Sequence, residues 1–450
     1  MGDRSVMWFR RDLRLADNPA LMSAIAGADD GVVPLFVVDD RLWKPSGVPR
    51  LAYLCDSLRS LRERIGGIVI RHGDPAEEVP EVAQSVGAVS VHIADDFGPY
   101  GSDRDARVEE VLAARGLPLV REGSAYAVPP GSLSTGNRTG YRVYTPFARA
   151  WAEHGWPPPV PEPRAVDWLL DVAGADIPPV TLPGGLALPV AGELAARSRW
   201  REFLAHGLET YADDRDRPDR DATSRMSVHL KWGEIHPRTM LADVSALRHK
   251  GADVYRRELG WREFYADVLR QHPGTVREYL RPEFAGMQYD PPGETFAAWT
   301  HGRTGFPIVD AGMRQLRSEG WMHNRVRMVV ASFLVKDLHV EWQHGARHFM
   351  RWLVDGDVAS NQHGWQWTAG CGTDAAPYFR VFNPTTQGKK FDPDGDYVRR
   401  HVPELRSVDS RYLHEPWTAP GGLPTGYPER IVDHAAERAE ALRRYEEIRR

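Results

Sequence analysis

Over the first 125 residues or so, short apolar runs alternate with longer segments whose apolar residues recur at every third or fourth position. The runs SVMWF (5–9), VVPLFVV (32–38), GIVIR (67–71), AVSVHIA (88–94) and LPLVR (117–121) are rich in β-branched and aromatic residues. They predict strands. Between them NPALMSAIA, LAYLCDSLRSLRERI, EEVPEVAQSV and DARVEEVLAAR carry the helical period. Strands that alternate with helices predict a doubly wound parallel sheet over residues 1–130, with a ligand crevice at the strand ends. The first strand runs into RRDLRLADNPAL, without G-x-G-x-x-G or a P-loop. The usual dinucleotide fingerprint is therefore absent.

The stretch 155–190 is dense in Pro and Gly, which block helix and central strand. It marks a connector, placed at 131–195. Its apolar Trp168 and Leu169 predict that it lies against the protein surface. From 196 the period is helical throughout. ARSRWREFLAHGLETYA, TMLADVSALRHK, VYRRELGWREFYADVLRQH, IVDAGMRQLRSEG and NRVRMVVASFLVKDLHVEW carry it, and AAERAEALRRYEEIRR adds a charged helical tail. An all-helical domain over 196–450 is expected.

Composition narrows the picture at a few points. The chain has 450 residues and a net charge of −5, so no global basic field advertises nucleic acid, although a local groove remains open. Cys55 and Cys371 are the two cysteines, too few for a disulfide framework, which fits a reducing compartment. No Cys/His cluster has zinc spacing, so no metal is expected. The N-terminus lacks a secretory layout and no apolar run is long enough to span a bilayer; a cytoplasmic protein without membrane contact is expected.

Tryptophan is unusually abundant, at 15 residues. In the helical half it recurs beside Asn, Arg and carboxylates, in ELGWREFY, GWMHNRVRM and DGDVASNQHGWQWTAG. Asn361 and Trp365 are i, i+4 neighbours on a helix, as are Asn324 and Met328, and Glu258 and Trp261 are i, i+3 neighbours. Indoles that stack and amides that bond edges suit a flat aromatic ligand. An indole in a helical domain is more often core than ligand wall, and Asp355-Gly-Asp357 alone is more often a helix cap. Pattern alone therefore stops at a helical domain with an aromatic-lined pocket.

Longer motifs carry a resemblance. MWFRRDLRLADNPAL (7–21), TSRMSVHLKWGEIHPR (223–238), ELGWREFY (258–265), TGFPIVDAGMRQL (304–316), GWMHNRVRM (320–328) and DGDVASNQHGWQWTAGCGTDAAPYFRVFNP (355–384) occur in one order over nearly the whole chain. Together they resemble the photolyase/cryptochrome family, and within it the class I photolyases that repair cyclobutane pyrimidine dimers. The resemblance implies an α/β antenna domain, a long connector and a helical domain that binds FAD. It implies that Tyr211, Thr223, Ser224, Met226 and Ser227 hold the phosphates and ribityl chain. Trp321, Asn324, Arg327, Asp355 and Asp357 would line the flavin, with Arg327 paired to Asp355. Asn361 would face flavin N5, where plant-type cryptochromes carry Asp.

The same resemblance implies a lesion pocket with Trp261 and Trp367 on its walls, Glu258 and Asn324 at the pyrimidine edge, and Met328 beside it. Extrusion of the dimer from the duplex belongs to the known behaviour of photolyases. Arg215, Arg262, Arg325 and Arg380 would contact phosphates of ultraviolet-damaged DNA, with Lys389 and Lys390 near the rim; such binding weakens steeply with salt. Trp365 and Trp342 would begin an electron relay. Its outermost member is usually Trp, but Tyr289 stands here. Either Tyr289 ends the relay or another aromatic takes over. FGPYGSDRDARV (97–108), Arg50 and Lys231 match the subgroup whose antenna is 8-hydroxy-5-deazaflavin, with folate or FMN the alternative. The family implies a monomer.

Three rival readings compete with this resemblance. A cryptochrome-like FAD photoreceptor without repair is opposed by Glu258, Trp261, Asn324, Met328, Trp367 and the short tail. Repair of the six-four photoproduct goes with a His-His pair where this chain has His323-Asn324. An adenylating enzyme built on the N-terminal half lacks phosphate-cradling glycines.

Overall fold

The computed structural model describes residues 2–137, 139–373 and 379–449. The DAAPY run of the last motif, 374–378, lies outside the described residues. Each predicted strand run forms a strand: β1 (Arg4–Phe9), β2 (Val32–Asp39), β3 (Val69–Gly73), β4 (Ala88–Asp95) and β5 (Leu119–Ser124). All pairings are parallel, in the order β3-β2-β1-β4-β5. β2 is buried at every position, as a strand covered by helices on both faces must be. The covering helices are Pro19–Ala26, Val48–Ile65, Pro75–Ser85 and Pro99–Ala114. The last begins six residues before its apolar period becomes visible, because Pro99 suits a first helical position. After β1 the chain winds outward to β2 and β3, then returns to β4. The crevice between the carboxyl ends of β1 and β4 is thus the switch point where such sheets bind ligands.

The connector lies along the sheet. Trp168 bridges to Val32, Ala175 bridges to Ile70, and the Leu169 N–H donates to the Val32 carbonyl at 2.9 Å. One helix interrupts the expected connector. Tyr144–His154 buries Tyr144, Phe147 and Trp151 against the long helix Lys250–Gln271. There the Trp151 indole N–H donates to Glu263 at 2.7 Å.

The second half is helical, with one departure from the predicted elements. The apolar period from 324 to 342 predicts one helix, but the chain forms Asn324–Lys336 and then Trp342–Trp352. Between them His339 adopts φ +51°, while Leu338 and Val340 stay buried. Continued burial across a non-helical turn preserves the sequence period while the helix ends.

The charged run after β1 joins the two halves. Arg14 donates to the Asp17 carbonyl at 2.6 Å and to the Gly233 carbonyl at 2.9 Å. Arg238 pairs with Asp17 at 2.6 Å. Deep in the junction, Tyr53, Ser57 and the Gly192 N–H all donate to the buried carboxylate of Glu234 at 2.6–2.7 Å. Buried charge is tolerable here because each group has a partner.

Candidate active site

A cavity of about 500 Å³ opens in the helical half, within the range of cofactor and substrate sites. The helices Lys250–Gln271, Asn324–Lys336 and Val358–Ala369 wall it, with the 223–227 turn and the 353–357 turn. The spacings noted in the sequence bring their residues together. Glu258 and Trp261, Asn324 and Met328, and Asn361 and Trp365 line it, as does Trp367.

The 223–227 turn is under strain. Arg225 has φ +54°, an uncommon conformation for a side-chain-bearing residue. It is held there by Glu319, 3.3 Å away, and by the Trp321 ring 4.5 Å below its guanidinium. This presents Ser224, Met226 and Ser227 to the cavity, with Ser224 Oγ accepting the Tyr255 hydroxyl at 2.9 Å. Tyr211 lines the same end.

Two acids close the opposite wall. Asp355 accepts Arg327 on Oδ2 at 2.9 Å, while its buried Oδ1 has no partner. A buried acceptor on a cavity wall calls for a donor from the occupant. Asp357 caps the Val358–Ala369 helix through the Ser360 N–H and pairs with Arg11, from the N-terminal half, at 2.7 Å. Burial opposes charge on Asp357. Arg11, Lys231 and Arg262 outweigh it and hold the carboxyl well below its ordinary value. Lys231 is pushed down to about 7, first by burial and then by Arg11.

Asn361 is fixed by its neighbours. Its amide N–H groups donate to the Ala346 carbonyl at 3.2 Å and to Gln362 at 2.7 Å. A carbonyl can only accept, so the network orients the amide and leaves Oδ1 as the group available to a ligand N–H. Gly364, one turn on, lines the cavity with nothing within 4 Å of where a Cβ would stand. Trp261 is braced from behind by Tyr144, stacked at 3.9 Å with 10° between planes. Glu258 pairs with Arg215 at 2.6 Å. Trp365 packs edge-on against Phe349 at 4.9 Å; a Cβ on Gly345 would fall 2.1 Å from its ring, so that glycine permits the approach.

Several expected residues lie elsewhere. Trp321 packs under Arg225, and Thr223 offers its carbonyl to Arg199 at 2.9 Å; neither lines the cavity. Arg262 lines the cavity, but its guanidinium is already engaged. It turns to the domain junction, where it donates to the Ala125 and Leu230 carbonyls over the Tyr126 ring. Arg325 lines the cavity mouth, paired to Asp216 at 2.8 Å. Arg380 borders a smaller neighbouring pocket that shares Trp367. Trp342 and Tyr289 do not line the cavity. Arg11, Tyr255, Tyr265 and Gly364 escaped sequence reasoning. The Tyr residues have a core-like spacing, and the Arg11–Asp357 pair joins positions 346 apart.

The crevice at the β1/β4 switch point is a different matter. Arg10, Arg11, Asp12, Asp95, Asp96 and Tyr126 border a space of about 10 Å³, scarcely one water. Arg10 spans it to Asp105 at 2.5 Å and to the Ala94 carbonyl. Lys231 faces the main cavity, and Arg50 bonds the Met350 carbonyl at 2.5 Å. Neither expected antenna residue borders the crevice.

Comparison with known proteins decides the family. Residues 5–164 match the profile of DNA photolyase, and residues 255–447 that of the FAD binding domain of DNA photolyase. A deoxyribodipyrimidine photo-lyase of Halobacterium salinarum is 40% identical over 99% of both chains. This chain belongs to the DNA photolyase family. A class III photolyase structure from Agrobacterium tumefaciens superposes with a TM-score of 0.93 and 34% identity, covering 100% of this chain and 98% of its own. An archaeal photolyase from Sulfolobus tokodaii, described with two FAD molecules and a novel light-harvesting cofactor, gives 0.87 and 27% identity, with 99% of this chain and 100% of its own covered. The α/β plus all-α fold expected of the family is the fold of this photolyase. Its cavity suits FAD chemically: hydroxyls at one end, an unpaired Asp355 oxygen and the Asn361 carbonyl oxygen at the other, and the open floor above Gly364.

Proposed function

We propose that this photolyase, acting as a class I monomer, uses light to split cyclobutane pyrimidine dimers in ultraviolet-damaged DNA, and that FAD and the dimer share the cavity. The reading divides the chain into the antenna unit (1–130), the connector (131–195) and the FAD and lesion unit (196–450). The observation that carries it is the assembly of Glu258, Trp261, Asn324, Met328 and Trp367 on one cavity with the FAD-compatible wall. Bound there in its reduced form, FAD would supply the light-driven one-electron chemistry that opens the cyclobutane ring.

The chain does the rest. Ser224, Ser227 and Tyr211 bind the phosphate end; Asp355, Asp357, Arg327 and Asn361 orient the ring end. Trp261, rigid against Tyr144, and Trp367 offer flat faces to the extruded pyrimidines. Glu258 and Asn324 hydrogen-bond the pyrimidine edge, where charge develops. The phosphate groups of DNA compete with Asp216 for Arg325 and with Glu258 for Arg215, so lesion binding frees the Glu258 carboxylate toward the base.

An antenna chromophore supplements light capture by FAD in this reading. The sequence motifs favour 8-hydroxy-5-deazaflavin, with folate or FMN as the alternative, and its expected residues Arg50 and Lys231 lie away from the small β1/β4 crevice.

The test is a repair assay. The protein is reduced under anaerobic conditions, given irradiated oligothymidylate and illuminated with blue light. The return of thymine absorbance is followed against a dark control. Light-dependent recovery is expected, much slower in Glu258→Ala. No recovery with reduced flavin present would overturn dimer repair and favour the cryptochrome-like photoreceptor.

A further inference from the structure

The relay expected from the sequence runs Trp365, Trp342, Tyr289, and the third step left two options. The structure supplies a tyrosine that the sequence did not single out. The ring contacted by Trp342 on its outward side is Tyr279, edge-on with centroids 6.1 Å apart. Tyr289 stacks behind Tyr279 at 6.4 Å, with 17° between planes. Trp342 is fully buried, so an electron hole on it must pass on to reach solvent; Tyr279 is only partly buried.

Tyr279 also has a proton acceptor in place. Its hydroxyl donates to Glu341 Oε1 at 2.7 Å. Glu341 precedes the Trp342–Trp352 helix at its N-cap position, yet its side chain caps no backbone N–H there. The carboxylate is spent on the phenol instead. The backbone on either side of Tyr279 is held from below by the fully buried Gln366. It accepts the Leu280 N–H at 2.8 Å and donates to the Thr275 and Glu278 carbonyls at 3.0 and 3.1 Å. The tyrosine-bearing turn is thereby pinned to the Val358–Ala369 helix that carries Trp365. Trp342, by contrast, has no protein acceptor for its indole N–H among the described residues.

We propose that Tyr279, with Glu341 as its base, is the terminal electron donor when light reduces oxidised flavin. The proposal rests on the FAD assignment above. The oxidant is the Trp342 indole radical cation, left after one electron has moved inward through Trp365 to the excited flavin. Trp342 keeps its N–H because nothing takes it. One electron then passes from Tyr279 to Trp342, which returns to neutral indole. In the same step the phenolic proton moves along the existing hydrogen bond to Glu341. The products are a neutral tyrosyl radical and a protonated Glu341, so charge and atoms balance. A phenol cation is a strong acid, and a carboxylate within 3 Å removes the cost of forming it. Without proton movement the hole would return from Trp342 to the flavin. The Tyr279–Glu341 pair therefore separates charge irreversibly, until an added thiol gives its hydrogen atom to the tyrosyl radical. Tyr289 stacks on the outer side as a support and not as the terminus.

Transient absorption and electron spin resonance of the oxidised holoprotein after a blue flash test this. The wild type should show an indole radical replaced by a tyrosyl radical, with a slower rate in heavy water. Tyr279→Phe, which keeps the ring, should lose the tyrosyl signal and leave the indole radical to recombine. Glu341→Gln should slow tyrosyl formation and abolish the heavy-water effect. Tyr289→Phe should behave as the wild type. A tyrosyl signal that survives Tyr279→Phe and vanishes in Tyr289→Phe would overturn the proposal, as would a Glu341→Gln variant with unchanged kinetics. The same preparations are also reduced chemically and assayed for dimer repair. Failure of repair would count against the proposed function, and the radical signals would still report on the pair.

Discussion

Two places in this fold are disposed to bind a chromophore, and they end up opposite. The helical cavity holds about 500 Å³, the β1/β4 crevice about 10 Å³. Both are lined with arginines and carboxylates. In the cavity the charges pair along the wall: Arg327 with Asp355, Arg215 with Glu258, Arg325 with Asp216. Pairs of that kind leave the middle open. In the crevice they pair across the gap, Arg10 from β1 to Asp105 and the β4 end, and Arg11 onward to Asp357. The same residue types make a site in one direction and a plug in the other. Arg11 links the two, because the arm that closes the crevice also steadies Asp357 on the cavity wall.

Filling the open site should have the largest effect. In Gly364→Leu the new side chain enters empty space above a helix. The fold should survive, since a mid-helix glycine costs about 0.5–1 kcal/mol relative to alanine. The protein should purify without flavin, read from absorbance per chain. A yellow variant would mean that Gly364 does not underlie the ligand. Breaking a wall pair comes next. Arg327→Met strands the buried Asp355, and urea unfolding should lose about 3 kcal/mol, the low end for a broken buried pair because Arg327 is 24% exposed. Trp261→Ala should weaken binding of irradiated oligothymidylate in the dark by about 1–3 kcal/mol, measured by anisotropy, with little change for undamaged DNA. Equal losses on both DNAs would remove Trp261 from the lesion wall.

The smallest effect concerns Lys231, which stands between the two sites. Its ammonium falls from 10.5 to about 7 in the folded protein. Between those values the unfolded chain binds the extra proton. Stability from this group therefore rises with pH from about 7 to 10 and is lost as pH falls through that window. Lys231→Met should flatten that slope in the unfolding midpoint; an unchanged slope would mean that Lys231 stays charged.

Much of this contrast could be read in the sequence, and part could not. The strand runs, the Pro/Gly connector and the helical spacings of Glu258 with Trp261 and Asn361 with Trp365 are local patterns, and local patterns survive folding. The fates of Arg262, Arg50 and Trp321 depend on which distant element packs against them. Arg262 lines the cavity and also reaches the Ala125 carbonyl, 137 positions away in the chain. The break at 337–341 was hidden because Leu338 and Val340 remain buried outside any helix. Tyr279 was missed because only the fold brings it beside Trp342 and Glu341.

The action spectrum of dimer repair tests the cavity's function most directly. It is measured on protein loaded with FAD alone, and again after incubation with 8-hydroxy-5-deazaflavin. Light-driven repair is expected in both samples, with a spectrum that follows reduced flavin in the first and gains a band with the shape of the deazaflavin in the second. Superimposable spectra would contradict the deazaflavin antenna, and no light-driven repair in either sample would contradict the function assigned to the cavity.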